Sequence, residues 1–168
     1  MSLIAPRRRP IAADPYPLPT HRVVARGLLT DLDGRVLIVA SAQRGTRQYL
    51  PGGKVEIGES PQAACRRELA EEIGVDLVVG ELLVCAWNPD PVAAAGWDWL
   101  SYLFDCGTHD AGRLDRRIVT QPTEISDCQW VDPGEAVTLL EPGLARLLLA
   151  ARSGTRYVEY TPPVSRRR

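Results

Sequence analysis

Two short runs rich in β-branched residues, Val23 to Thr30 and Arg35 to Ala40, flank Asp31-Leu32-Asp33-Gly34, residues that tolerate the positive φ of a tight connection. The pattern predicts a hairpin. A glycine-rich turn at Pro51-Gly52-Gly53 follows. The apolar period then changes: Cys65, Leu69 and Ile73 recur every four residues, which predicts a helix with Ser60 as N-cap, Pro61 at its first position and Gly74 as its stop. Further on, Asp76 to Val79, Glu81 to Trp87 and Trp97 to Asp105 read as strands, with turn formers over Asn88 to Gly96. Cys106 to Thr123 reads as a polar loop and Gln129 to Val131 as a short strand. Gly134 to Leu140 and Leu144 to Arg152 have helical spacing, and Tyr157 to Tyr160 adds a last strand. Strands mixed with two or three helices, and no internal repeat, indicate α/β or α+β layers.

Composition sets the limits of this picture. With 168 residues the chain holds one domain with a real core, and 45% apolar and 24% charged residues exclude a disordered or fibrous chain. Five prolines and Arg7-Arg8-Arg9 make residues 1–20 a flexible arm, residues 21–160 the domain, and 161–168, ending in Arg166-Arg167-Arg168, a solvated tail. The two ends carry six arginines against one aspartate, so the remainder has 14 basic and 20 acidic groups. An acidic body argues against specific nucleic-acid binding. Cys65, Cys85, Cys106 and Cys128 stand about twenty residues apart without a Cys-x-x-Cys pair, and read as reduced, mostly buried thiols rather than a zinc or redox site. No leader-like or membrane-length apolar run is present, so the expectation is a cytoplasmic protein with no membrane partner.

The chemistry concentrates on the first helix. Glu68, Glu71 and Glu72 stand at i, i+3 and i+4 and so share one face, while Gln62, Cys65, Leu69 and Ile73 lie on the neighbouring face, to be packed against a sheet. An ordinary solvated face is the usual fate of such glutamates. Gathered carboxylates repel, however, and a divalent cation reverses the sign by taking oxygen ligands from several of them. With no histidine or cysteine in the cluster, the donor set suits Mg²⁺ or Mn²⁺, whose remaining positions phosphate oxygens fill.

The same residues carry a resemblance. Gly53, five residues, Glu59, seven residues, then Arg67-Glu68-Leu69-Ala70-Glu71-Glu72-Ile73-Gly74-Val75 resembles a complete Nudix box, and Tyr49-Leu50-Pro51-Gly52-Gly53 is similar to its lead-in. The resemblance spans about residues 21 to 150 and implies an α/β/α sandwich with a mixed sheet, in the α/β class. It implies Glu68 and Glu72 as main metal ligands, with Glu71 and the Gly53 carbonyl as further ones. It also implies a pairing of Arg67 with Glu59 that orients the glutamates. The implied activity is hydrolysis of the diphosphate linkage in a nucleoside diphosphate derivative, with Glu68 as first and Glu124 as second candidate for the base.

Substrate contacts are harder to read. Arg44 and Arg47 precede the glycine turn and suit terminal phosphates, and Trp87, Trp97 or Trp99 suits stacking on a base. Pro91, sixteen residues past Val75, is similar in placement to a proline of ADP-ribose-cleaving members. Two readings stay open: a Mg²⁺-dependent pyrophosphohydrolase acting on a nucleoside triphosphate or a nucleotide sugar such as ADP-ribose, or a nucleotide sensor that does not cut. The expected partner is a small-molecule nucleotide, with a homodimer left open.

Overall fold

The computed structural model describes residues 21–43, 48–89 and 98–160. Strand β1 (Arg22–Asp31) places Ala25, Gly27, Leu29 and Asp31 on a buried face, the period-two pattern of a strand. A turn with Gly34 at φ 81° leads into β2 (Val36–Ser41), whose first four residues are all buried. The hairpin closes only at its turn: Thr30 and Val36 are the paired Cα positions. Beyond it the two strands part. One edge of β2 takes β7 (Ile125–Val131) and the other, beyond the hairpin turn, takes the short β3 (Gln48–Tyr49), while β1 takes β4 (Gly52–Lys54) antiparallel, with Arg26 opposite Gly52. On its other side β1 runs parallel to β6 (Trp99–His109), followed by β5 (Leu82–Asn88) and β8 (Tyr157–Glu159), giving the mixed order β3-β2-β1-β6-β5-β8. The divergence of β1 from β2 opens a cleft in the middle of the sheet.

Helix α1 (Pro61–Ile73) buries Ala64, Cys65, Leu69 and Ile73. Burying a side chain such as Leu69 stabilises by about 2 kcal/mol. Gly27 permits this packing, since a Cβ there would stand 2.7 Å from Cys106 Sγ and 3.3 Å from Leu69. The alternate residues Val24 and Arg26 face the other way, toward α4 (Pro142–Ser153), which packs beside α3 (Pro133–Leu139). Helices therefore cover both faces of the mixed sheet, an α/β architecture of sandwich type. All four cysteines are free thiols, and among the described residues no helix is long and apolar enough to cross a membrane.

Several expectations need correction. Asp76 to Val79 is not a strand: Val75, Leu77 and Val79 are buried in alternation, but the segment's backbone finds no ladder partner before the Gly80 N–H bond to the Asp105 carbonyl. Pro51-Gly52-Gly53 is not a free turn, since Gly52 and Gly53 open β4. Cys106 to Thr123 is only partly loop, because β6 follows β1 to His109 and Asp110 then caps a short α2 (Ala111–Asp115), its carboxylate accepting from Arg113 N at 2.9 Å. The expected Gln129 to Val131 strand begins four residues earlier, at Ile125, where it meets Ser41. Gln62 is exposed rather than packed, its amide donating to the Val79 and Gly80 carbonyls at 2.8 and 3.1 Å.

Candidate active site

The site is built on α1, whose ends are fixed by local chemistry. Ser60 is extended (φ −83°, ψ 152°) and its hydroxyl accepts from Ala63 N, while Gly74 ends the helix in the left-handed region at φ 69°. This phase turns Glu68 and Glu72 toward β4. Glu72 Oε2 accepts from Gly52 N at 2.7 Å. Glu68 lies against Gly53, and a Cβ at that position would overlap its carboxylate, so a larger residue there would displace Glu68. The loop after α2 hands Val119 N and Gln121 N to the carbonyls of Ile73 and Glu72, then delivers Glu124, whose carbonyl accepts from Ala42 N at 2.8 Å.

Arg67 joins the pieces. Its Nε and Nη2 each meet a Glu59 oxygen at 3.0 Å, Nη1 donates to Glu68 at 3.0 Å and Glu71 at 2.9 Å, and Nη2 also donates to the Lys54 carbonyl at 2.9 Å. The planar guanidinium is suited to such a fork. The bond from Arg67 holds the Glu59 carboxyl below its usual range, and the same contacts raise the Arg67 pKa further. Glu71, half exposed, faces Arg67 and not the cleft.

Glu68, Glu72 and Glu124 line one cavity of about 280 Å³ together with Gly52, Gly53 and Arg26. Burial raises the Glu68 pKa, with Glu71 and Glu124 adding to the effect and Arg67 opposing it. Burial likewise pushes Glu72 up to about 7, with Glu68 and Glu124 adding, and the Gly52 N–H and Arg26 opposing. The acidic face is thus less open to water than a solvated helix stripe. Among the described residues no three His, Cys, Asp or Glu side chains are already drawn together as a metal cage. The donors nevertheless fit a hard divalent cation: they are all oxygens, two of them carboxylates raised by burial and by each other, with the Glu68 carboxylate lying directly over the Gly53 backbone.

A second cavity of about 380 Å³ adjoins the first, sharing Val24, Arg26, Tyr49 and Trp99, and is completed by Asn88, Ser101, Tyr160 and the start of α4. Its wall is aromatic and polar in parts, as sites for small organic molecules are.

Of the residues singled out from the sequence, Gly53, Glu68, Glu72, Glu124 and Trp99 meet at these cavities, while Arg67 and Glu59 stand paired behind them. Trp87 does not reach them, its ring packing edge-on against His21 at 4.8 Å. Arg44, Arg47, Pro91 and Trp97, with the two ends, lie outside the described residues. The sequence reading missed Arg26, Asn88, Ser101 and Tyr160. For Arg26 a signal existed, a lone charge inside the otherwise apolar run Val23 to Leu29.

Comparison with known proteins agrees with this fold. The family model described as NUDIX domain matches residues 20–151. The chain is 58% identical over 118 residues to a Mycobacterium tuberculosis (strain H37Rv) protein named as a candidate 8-oxo-dGTP diphosphatase 2, a match covering 66% of this chain and 81% of that one. It is 41% identical over 64 residues to the MutT-like protein of Streptomyces ambofaciens, covering 38% of this chain and 41% of the relative. Against that protein and three others the match spans only 19% to 56% of the relative's length. The crystal structure of the MutT protein from Methanosarcina mazei Go1 superposes with a TM-score of 0.66 at 19% identity, over 79% of this chain and 94% of that one, a likeness of fold.

Proposed function

Since the chain belongs to the Nudix family, we propose that it is a pyrophosphohydrolase using Mg²⁺ or Mn²⁺, which splits the diphosphate linkage of a purine nucleoside triphosphate and releases the nucleoside monophosphate. The observation that carries this reading is the convergence of Glu68, Glu72, Glu124 and Gly53 on one cavity that continues past Arg26 into an aromatic-walled second one. Relatives named as 8-oxo-dGTP diphosphatases support a guanine-type base, and residues 21–160 would form the working unit.

Glu68, Glu72 and the Gly53 carbonyl would hold the cation, and Glu71 would join only after leaving Arg67. When bound, the cation polarises phosphoryl oxygens and lowers the pKa of a coordinated water. Arg67, itself fixed by Glu59, sets the Glu68 carboxylate. Glu68 is engaged by that guanidinium, which favours Glu124 over it as the group that takes the proton from the attacking water. Trp99 and Tyr160 supply faces for the base, and Asn88, its amide donating to Ser101 Oγ at 3.1 Å, presents an oriented polar edge.

The test is a panel of 8-oxo-dGTP, dGTP, ATP and ADP-ribose assayed with Mg²⁺ and with Mn²⁺, identifying both products. A purine triphosphate turned over to monophosphate and pyrophosphate is the expected result, with Glu124→Gln slowing turnover more than it weakens Mn²⁺ binding. Nucleotide binding with no product over hours would show a sensor instead, and faster cleavage of ADP-ribose would move the substrate class.

A further inference from the structure

Three successive carbonyls ahead of the glutamates are held from one side. Gly27 N bonds the Pro51 carbonyl at 2.9 Å, and a single nitrogen of Arg26, Nη1, donates to both the Leu50 and the Gly52 carbonyls at 2.7 Å. Arg26 stands opposite Gly52 in the β1–β4 ladder, and its guanidinium lies 5.5 Å from the centre of the Tyr49 ring. Gly52 in turn donates its N–H to Glu72. A continuous path of bonds therefore runs from Arg26 through the Gly52 backbone to the Glu72 carboxylate, and Gly53, against which Glu68 packs, is the next residue along.

We infer that Arg26 is a positioning residue for the metal site: it fixes the Leu50–Gly53 backbone so that the Gly52 N–H aims Glu72 and the Gly53 carbonyl faces the same ion. The inference rests on the metal-dependent reading given above. A charged donor that meets two carbonyls at 2.7 Å makes strong bonds, and Gly52 has little freedom of its own. At φ 126° it is pressed onto β1, where a Cβ would stand 2.7 Å from Arg26 Cα. Lysine retains the charge and a single donor nitrogen but not the flat guanidinium that lies over the Tyr49 ring, so it restores the geometry only in part. Arg26 also borders both cavities. A role in binding the nucleotide directly is the rival outcome, and the two roles separate in the measurement.

Mn²⁺ binding, followed by loss of the free-ion electron paramagnetic resonance signal without nucleotide, is measured for the wild type, Arg26→Lys and Arg26→Met. Arg66→Gln, which alters an exposed arginine paired with Asp76, is the control. The expected result is Mn²⁺ affinity weakened about tenfold or more in Arg26→Met and three- to tenfold in Arg26→Lys, with kcat falling alongside and KM for nucleotide within about twofold. Unchanged Mn²⁺ affinity in both variants overturns the inference, as does a raised KM with unchanged Mn²⁺ affinity, which would make Arg26 a substrate contact. If Arg26→Met does not fold, Arg26→Lys decides by the same readings. A wild type that binds no Mn²⁺ refutes the metal site itself, a different failure from variants that bind as the wild type does.

Discussion

Asp31 and Glu72 are both carboxylates withdrawn from water, one at the end of β1 and the other on the last turn of α1, and they behave oppositely. Burial alone would raise Asp31, but it accepts from the backbone of Asp33 and Arg35 at 3.0 and 2.7 Å and from Arg35 Nε at 2.7 Å, and these bonds hold its pKa below the usual range. Glu72 has one backbone donor at bonding distance, with Glu68 and Glu124 as neighbours, and is pushed up to about 7. The difference separates two uses of buried charge. A fully bonded carboxylate stitches a turn, whereas one left short of partners among like charges is poised for a cation.

The largest effect expected from this contrast is on catalysis. Glu72→Gln should reduce turnover at least about a hundredfold and abolish Mn²⁺ binding, because a neutral amide cannot anchor the ion. Wild-type turnover in that variant would contradict the metal assignment. Asp31→Asn should do the reverse, costing about 1–3 kcal/mol of stability by urea unfolding while leaving kcat within about twofold. Because Asp31 is lowered in the folded state, its contribution is present above the unfolded carboxylate's pKa near 4 and fades as pH falls through the folded value. The gap to Asp31→Asn should therefore close in acid.

Glu72 gives the opposite sign. Its folded pKa of about 7 lies above the ordinary 4.5, so the metal-free protein binds more protons when folded and loses stability as pH rises across that window. Glu72→Gln should then be more stable than the metal-free wild type by roughly 1–3 kcal/mol at pH 8 and equal to it near pH 4. Saturating Mg²⁺ should restore the wild type alone. A gap independent of pH would remove the contrast with Asp31. The smallest effect belongs to Glu59→Gln, which leaves Arg67 to its other partners. It should lower kcat about three- to tenfold and leave KM for nucleotide nearly unchanged in steady-state assays.

Legibility followed how local each cause was. Ser60, Pro61 and Gly74 announced α1 to the residue because caps act within one turn of chain. Asp76 to Val79 had a strand's alternation and failed to become one, since alternation reports which side is buried while a strand also needs a neighbour to bond. Likewise β6 outran its apolar pattern to His109 because β1 lay alongside it, and α2 was hidden in residues without an apolar stripe.

The sequence alone determined the acidic stripe on α1 and the caps that set its phase, because helix period and end chemistry are properties of a few adjacent residues, whereas the bracing of Arg67 by Glu59 was implied only by the resemblance to the Nudix box. Only the tertiary structure decided that Glu71 turns toward Arg67 while Glu124, more than fifty residues later, joins Glu68 and Glu72 in the cleft. It also decided that Arg26 reaches across from β1 to hold the glycine strand. Those placements depend on where β1 and β2 part and on which loop docks at the end of α1, and strand pairing over such separations leaves no periodic trace in the chain.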